Sequence, residues 1–494
     1  MPDVRAITRR TLFSSVFLIL AATLGIVPAA SEPTVAAGPV AGVNAAYYPG
    51  RLDNGGLIPS TVEPNYELNG GEWVTVQASS VGRRALEPTI GVDSDGRAFY
   101  AASWHDDSPA VILPITEVRR SVDGGLTWEN ISPQIPTTQH ELPPTNGDPY
   151  VFVDQDTDRV FNPEAAGACL YMNFSDDHGE TWLTNPVVCG DFNVDHQSFE
   201  AGPFPPAFEA LETVYPNVLW YCSNQVAQTQ CSKSFDGGLA WLPSAPAYTG
   251  YDSAAGGVCG GLSGHVEVDS KGRAALPKGH CGAPWISVSS DLGNTWTRTK
   301  VSTIAAAGTH IAAAFDDADN LYVVWWDSQF RMPWLAISKD HGATFGEPMM
   351  IAPPDVREVN FPEITAGEAG KVAITFPGTT SGNRSDSRRP WNDYVVITTN
   401  ALDPTPLFVS TTGNPTNNPV HRGNCGPGRC TGMWDFIDIV VSPKDGGVWA
   451  TLSDTCEAVS CTQVNGSLDS MSSGMGYAIR QIGGPTIRTP QPPS

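Results

Sequence analysis

The chain has 494 residues, and its 52 acidic residues against 28 Lys and Arg give it a formal net charge of −24. This charge excludes a phosphate backbone as the main partner, so we expect no nucleic-acid binding. Hydrophobic residues make up 41% of the chain and charged residues 16%, which excludes wholesale disorder, while 49 Gly and 42 Pro favour many turns and few long helices. We therefore expect a large, mostly β protein, either multidomain or one repetitive fold.

The first thirty residues are typical of an export signal. A basic start that includes Arg9-Arg10 precedes an apolar stretch at residues 12–27, and small residues follow. The pair Arg9-Arg10 suits a twin-arginine signal, but a general secretory signal also begins with basic residues, and the sequence leaves both open. We expect removal of residues 1–30, a secreted location, and no membrane association after removal. The alternative is an uncleaved membrane anchor.

Residues 31–71 show little regular alternation, and we interpret them as an N-terminal extension. Residues 72–77 then form a spare apolar strand, and residues 484–494 form a Pro-rich tail at the other end. Between the spare strand and the tail, seven units begin with an apolar strand, an acidic turn and a second apolar strand, as in residues 89–101 and 310–325. The region 72–483 is therefore expected to be built of repeats.

Five of the units share the pattern Ser-x-Asp-x-Gly-x-Thr-Trp, with Ala for Thr in the third and Phe for Trp in the fifth. They span residues 121–128, 175–182, 234–241, 289–296 and 338–345. An Asp that accepts N–H groups of its own turn, a Gly with positive φ and an anchoring aromatic residue are typical of a hairpin turn.

These repeats resemble the Asp-box, or BNR repeat, of sialidases and of several non-catalytic propellers. The resemblance implies an all-β fold, a β-propeller, in which each unit is a blade of four antiparallel strands, a to d. The acidic turn would join strands a and b, and the Asp-box would join strands c and d. We favour seven blades, with six as the alternative if the third or sixth unit is an insertion. The seventh unit lacks a strand d, which residues 72–77 would supply to close the ring.

Such a blade places its a–b and c–d turns on one face of the ring, here named the turn face, and its b–c and d–a loops on the other, the loop face. The long segments fall on the loop face, where functional residues are expected. The ten Cys residues pair with their neighbours in sequence, and the predicted disulfides all fasten the loop face, either to preorganise a site or to stabilise long loops. These pairs are Cys169–Cys189, Cys222–Cys231, Cys259–Cys281, Cys425–Cys430 and Cys456–Cys461.

Polar residues at the starts of strands a should point toward the mouth of the central channel. Glycoside chemistry requires two convergent carboxyl groups, so we predict Asp148, Asp195 and Glu363 as catalytic candidates. The candidate binding residues at this mouth and in nearby loops are Glu87, His196, His265, His310, Arg331, Arg357 and Asp435. No linear ligand spacing supports a metal site among Asp195 and the three histidines, so we expect no metal and no cofactor.

The resemblance also implies an Arg-Ile-Pro segment on the first strand, where this chain has Leu86-Glu87-Pro88. Because the leading Arg is absent, we do not expect exo-sialidase activity. The sequence predicts an exported propeller that binds an extracellular glycan or hydrolyses it as a glycoside hydrolase. The alternative is a non-catalytic propeller that binds proteins or serves as a scaffold.

Overall fold

Seven antiparallel sheets surround a central channel. The computed structural model describes residues 38–39, 44–47, 73–104, 115–133, 135–136, 141–142, 148–166, 169–189, 195–225, 228–253, 257–308, 310–423, 436–456 and 474–490. The first strand of each sheet contacts the first strands of the sheets on both sides, once around the ring. The predicted seven-bladed propeller is confirmed. The six-blade alternative is wrong, because the third and sixth units each form a complete sheet.

The blades are numbered in chain order, and each has strands a, b, c and d from the channel outward. Blade 1 is formed by Leu86–Val92, Ala98–Trp104, Ile115–Ser121 and Glu129–Asn130. Blade 2 is formed by Phe152–Asp154, Arg159–Ala166, Cys169–Ser175 and Leu183–Cys189. Blade 3 is formed by Asp195–Pro203, Asn217–Gln225, Gln228–Ser234 and Leu242–Pro243. Blade 4 is formed by Glu267–Val268, Ala274–His280, Ala283–Ser289 and Thr297–Lys300.

Blades 5 to 7 continue the ring in the same order. Blade 5 is formed by Ala312–Phe315, Leu321–Trp326, Pro333–Ser338 and Met349–Met350. Blade 6 is formed by Glu363–Ala366, Val372–Thr379, Pro390–Thr398 and Phe408–Thr412. Blade 7 is formed by Ile439–Val441, Val448–Asp454, Met475–Gly483 and Thr75–Arg84.

Short elements extend this frame at its edges. Gly38–Pro39 pairs with strand d of blade 7, and Ala45–Tyr47 pairs with strand d of blade 6. The remaining short elements are Ile135–Pro136 with Glu141–Leu142, Tyr251–Asp252 with Gly257–Val258, Tyr248–Thr249, Glu358–Val359, His421–Arg422 and the 3-10 helix Pro206–Leu211. In the part of the chain that the structure describes, no helix has the length and apolar character needed to cross a membrane.

The ring is closed by an early strand of the chain, as predicted. Thr75–Arg84 runs antiparallel to Met475–Gly483, with Ala78 opposite Ile479, and supplies strand d of blade 7. This strand begins three residues later than expected and extends well past residue 77. Closure leaves the innermost and outermost strands of blade 7 in the same environment as those of the other blades.

The five repeated segments, named Asp-box segments here after the repeat that they resemble, lie between strands c and d of blades 1 to 5. In blade 1, Asp123 Oδ1 accepts the N–H of Thr127 at 2.9 Å, and Ser121 Oγ accepts the N–H of Gly125 at 2.8 Å. The same Ser–Gly bond occurs in the other four segments, and Gly125 has φ 89°, a conformation that favours glycine. The Ser, Asp and Gly residues that recur in the pattern are therefore the residues whose atoms hold the turn together.

The Trp residues of the second and fourth Asp-box segments bond to the preceding blade. Trp182 Nε1 donates to the carbonyl of Ile131 at 2.7 Å, which joins blade 2 to blade 1. Trp296 Nε1 donates to the carbonyl of Ala245 at 3.0 Å, which joins blade 4 to blade 3. These two turns thus stabilise an interface between blades as well as their own hairpins.

Turns of neighbouring blades also meet through arginines on the turn face. Arg97, in the a–b turn of blade 1, donates to Asp93 at 2.9 Å and lies 3.3 Å from His178 of the second Asp-box. Arg273 repeats this arrangement between blades 4 and 5, at 2.9 Å from His341. The contacts confirm that a–b turns and Asp-boxes share one face of the ring.

Two of the predicted disulfides are present. Cys222–Cys231 joins strands b and c of blade 3, and Cys259–Cys281 joins the loop before blade 4 to its b–c turn. Cys456 is also in a disulfide, but its predicted partner Cys461 lies outside the described residues, as do Cys425 and Cys430. The backbones of Cys169 and Cys189 lie opposite each other in blade 2, and their side chains are outside the description.

Candidate functional site

The starts of strands a in blades 3, 4, 5 and 7 place four rings against one another at the loop-face end of the channel. The ring centroids of His196 and His310 lie 4.7 Å apart, those of His265 and His310 lie 5.5 Å apart, and those of His196 and His265 lie 5.9 Å apart. Phe436 completes the layer, 4.9 Å from His196. Three histidines predicted separately from the sequence are therefore brought together by the fold.

This layer of His196, His265, His310 and Phe436, here named the mouth layer, is buried. None of its members is more than 6% exposed. Tyr150 lies below it, with its ring edge-on to His265 at 5.1 Å. Burial lowers the pKa of His265 to about 4, so this imidazole is neutral at neutral pH.

Two of the predicted catalytic carboxylates contact the mouth layer from opposite sides. Glu363, at the start of blade 6, is hydrogen-bonded through Oε1 to His310 Nε2 and is 3% exposed. Asp148, just before blade 2, is half-buried, and its Oδ2 accepts the backbone N–H of His196 at 2.7 Å. A continuous set of contacts therefore runs from Asp148 through His196 and His310 to Glu363.

Below the mouth layer, the channel contains a cavity of about 270 Å³. The acidic residues that line it are Asp154, Asp156, Glu200, Glu267, Glu363 and Asp438. Burial raises the pKa of Asp438 to about 8, and the nearby charge of Glu363 adds to the rise. Burial also raises the pKa values of Glu200 and Glu267 well above their usual range. The channel therefore holds protonated carboxyl groups at neutral pH.

The other predicted residues are spread more widely. Glu87 is buried in the bulged first strand of blade 1, with φ 51°, and Asp195 is exposed at the start of blade 3. Arg357 is half-buried, with no partner for its guanidinium among the described residues. Asp435 lies outside the described residues.

Arg331 belongs to a separate cluster on the loop face of blades 5 and 6. Its Nη1 donates to Glu358 Oε1 at 2.6 Å, while Arg384 and Arg389 donate to Glu358 Oε2 at 2.9 and 2.8 Å. The sequence prediction grouped Arg331 with the mouth residues, but its guanidinium forms an ion pair with Glu358. We name this group the Glu358 cluster.

Sequence reasoning missed Tyr150, Phe436, Glu267 and Asp438 as channel residues. A signal for two of them was present, because side chains of a strand alternate between its faces. Glu267 stands two residues after His265, and Asp438 two residues after Phe436, so each shares a face with a mouth-layer residue. Counting every second residue from His265 along this strand would have identified Glu267.

The fold and this site define a seven-bladed propeller with the repeated Ser-x-Asp-x-Gly turns on one face and an imidazole-lined mouth on the other. Neither a family model nor a curated protein matches the chain. The chain is similar to the Hadza microbial sialidase Hz136, with 15% identity over 70% of this chain and 91% of that chain and a TM-score of 0.42.

Two further solved structures show a likeness of the same degree. The α-L-arabinofuranosidase Arb93A of Fusarium graminearum is 12% identical over 66% of this chain and 92% of that chain, with a TM-score of 0.40. The α-L-arabinanase of Penicillium chrysogenum is 12% identical over 78% of this chain and all of that chain (100%), with a TM-score of 0.38.

Proposed function

We propose that the chain is an exported propeller that binds an extracellular glycan at the loop face and hydrolyses it at the mouth of the channel. The observation that carries the proposal is that two carboxylates bond to residues of the mouth layer, Asp148 to the backbone of His196 and Glu363 to the imidazole of His310. Glycoside hydrolysis uses one carboxyl group as acid and a second as base or nucleophile.

The surroundings of the two carboxylates support different roles. Asp148 is half-buried and accepts a backbone N–H through its carboxylate, which suits a base or nucleophile. Glu363 is buried and hydrogen-bonded to His310, which suits the acid that protonates a leaving oxygen. Asp195, exposed beside His196, is available to a hydroxyl group of the bound sugar.

The loop face supports the glycan part of the proposal. One disulfide joins strands b and c of blade 3 and another holds the loop before blade 4, which reduces the ordering that binding would require. The Glu358 cluster adds guanidinium groups at blades 5 and 6, of which Arg384 is 46% exposed on its side chain and can meet a polar ligand.

The test is turnover and binding on a broad panel of polysaccharides and oligosaccharides. Glu363→Gln and Asp148→Asn should each lower turnover about 10²–10⁴-fold, the usual contribution of a positioned acid or base, with little change in binding. Asp195→Asn should weaken binding more than turnover. Asp317→Asn, half-exposed on the turn face, serves as the control and should behave like wild type.

Two outcomes separate the glycan proposal from its alternative. Binding without turnover, unchanged by Glu363→Gln, would remove the hydrolase part and leave a glycan-binding propeller. No binding to any glycan, together with recovery of a specific protein from the extracellular medium, would favour the protein-binding scaffold instead.

Export is part of the same proposal and has its own experiment. A reporter fused after residue 30 should leave the cytoplasm, and replacing Arg9-Arg10 by Lys-Lys should stop this if the signal is of the twin-arginine class. Export that survives the replacement would indicate the general secretory route.

A further inference from the structure

The imidazoles of the mouth layer carry more hydrogen-bonding capacity than their neighbours satisfy. His265 Nε2 and His310 Nδ1 are buried and have no hydrogen-bond partner among the described residues. A buried polar atom without a partner costs free energy, and such atoms are uncommon in folded proteins. Two of them in one layer, on rings 5.5 Å apart, indicate a ligand that accepts electron pairs from nitrogen.

Glu363 determines which nitrogen of His310 is available to such a ligand. Its carboxylate Oε1 is bonded to His310 Nε2. A carboxylate accepts, so Nε2 carries the proton and Nδ1 keeps its lone pair. Metal-binding histidines commonly donate their other ring N–H to a carboxylate in this way, which fixes the tautomer and the ring orientation.

We propose that His196, His265 and His310 bind one divalent transition-metal ion of the zinc class, with Glu363 as the outer partner of His310. This proposal goes beyond the proposed glycan activity and does not depend on it. Three imidazoles with an open fourth position are a donor set that Zn²⁺ accepts, whereas Ca²⁺ and Mg²⁺ prefer oxygen.

The spacing of the rings fits this ion. With Zn–N bonds of about 2.0–2.1 Å and tetrahedral angles, the centroids of three ligating imidazoles lie about 5 Å apart. The observed separations of 4.7, 5.5 and 5.9 Å bracket that value. The nitrogens do not yet point to one centre, so binding requires the rings to turn about their side-chain bonds while the strands stay in place.

The charge of the channel favours a cation at this position. The acidic residues Asp154, Asp156, Glu200, Glu267, Glu363 and Asp438 line the cavity below, against one Lys or Arg side chain among its lining residues, Arg488. Arg488 is already paired with Asp317 at 3.0 Å.

A second group of possible ligands lies on the turn face and provides a control. Oxygens of Asp269 and Asp319 and a nitrogen of His341 lie within 4.8 Å of one another. The guanidinium of Arg273 occupies this group, bonded to Asp269 at 2.5 Å and lying 2.9 Å from His341 Nδ1. It therefore has no need of an ion.

The experiment measures metal bound to the mature protein after equilibration with Zn²⁺ or Ca²⁺ and removal of loose ions. We expect one Zn²⁺ per chain and no Ca²⁺. His265→Ala and His310→Ala should each weaken Zn²⁺ binding by about 100-fold or more, and Glu363→Ala by about 10–100-fold, as for other outer partners. His341→Ala should bind as wild type does.

Zinc-edge X-ray absorption of the wild-type protein counts its imidazole ligands without any variant, so the test survives a variant that fails to fold. Three imidazoles would support the site. Failure of the folded wild-type protein to retain Zn²⁺, fewer than three imidazoles, or loss of binding in His341→Ala equal to that in His265→Ala would overturn it. Glycan turnover is scored separately, so each proposal can fail alone.

Discussion

Glu358 holds the loop face of blades 5 and 6 together, and its removal should be costly. Its carboxylate is 1% exposed and bonds three guanidinium groups of very different burial. The side chain of Arg389 is 1% exposed, that of Arg331 is 17% exposed, and that of Arg384 is 46% exposed. The ion pairs of Glu358 therefore allow the stabilisation by a buried pair to be compared with that by an exposed pair at the same carboxylate.

The expected size follows from this burial. Glu358→Gln keeps the shape of the side chain but removes the carboxylate charge beside the buried guanidinium of Arg389. Breaking a buried pair by removing one partner costs about 3–5 kcal/mol, because the remaining charge stays desolvated. Arg384→Gln removes a largely solvated partner, which costs about 0–1 kcal/mol. Arg389→Gln should fall between these, since Glu358 keeps two partners.

The assay is equilibrium urea unfolding followed by tryptophan fluorescence, with the free energy of unfolding obtained by linear extrapolation at a common slope. The expected order of destabilisation is Glu358→Gln, then Arg389→Gln, then Arg384→Gln. If Glu358→Gln lies within about 1 kcal/mol of Arg384→Gln, burial does not set the strength of this cluster and the reasoning is refuted.

Three further predictions concern other parts of the ring. Burial raises the pKa of Glu164 to about 8, so the folded chain keeps a proton that the unfolded chain releases near its ordinary value of 4.5. Stability should be full below that value and fall by up to about 1.4 kcal/mol per pH unit as the pH rises toward 8, and urea midpoints of Glu164→Gln should lack this slope. Opening the Cys259–Cys281 disulfide, with a separation of 22 residues, by double Ser substitution should cost about 3 kcal/mol, and opening Cys222–Cys231, with a separation of 9, slightly less. A larger loss for the shorter loop would contradict the loop-entropy account. Hydrogen bonds from Thr344 lower the pKa of Asp340 to about 2, so its stabilisation is present above the ordinary value and is lost as the pH falls from about 4 to 2. Near-ultraviolet circular dichroism should therefore show a less acid-sensitive fold for Asp340→Asn.

The ring of blades was predictable because each Asp-box segment forms a local turn, which is held by residues close together in the sequence. Ser121, Asp123 and Gly125 bond to one another within a few residues, so the turn leaves its pattern in consecutive letters. The strand missing from blade 7 was predictable for a related reason, since a propeller that leaves an edge unpaired is unfavourable. Both inferences needed no knowledge of distant contacts.

The site was predictable in part, according to how each residue is positioned. His196, His265 and His310 stand at the starts of regular strands, so strand geometry directs them to the channel. Arg331 sits in a b–c turn with φ 59°, where no periodic rule gives the direction of a side chain. Its partner Glu358 lies in the connection between blades 5 and 6, beyond strands c and d of blade 5, and the sequence contains no signal that pairs them.

The mouth depends on side-chain bonds between blades. The first strands of neighbouring blades run in the same direction and are not paired in one sheet, so side chains join them. Thr89 Oγ1 accepts the N–H of Val151 at 2.9 Å, and Ser198 Oγ accepts the N–H of Val266 at 3.1 Å.

These bonds fix the strand starts that carry the mouth residues. Between blades 4 and 5 the fit is closer still, because a Cβ at Gly264 would lie 1.8 Å from the carbonyl oxygen of Ile311. Gly264 precedes His265, and Ile311 follows His310, so the separation of these two imidazoles depends on the absence of one side chain. The substitution Gly264→Ala changes neither ring, but it should separate His265 from His310. Measurements of Zn²⁺ binding and of glycan turnover should therefore both show a loss.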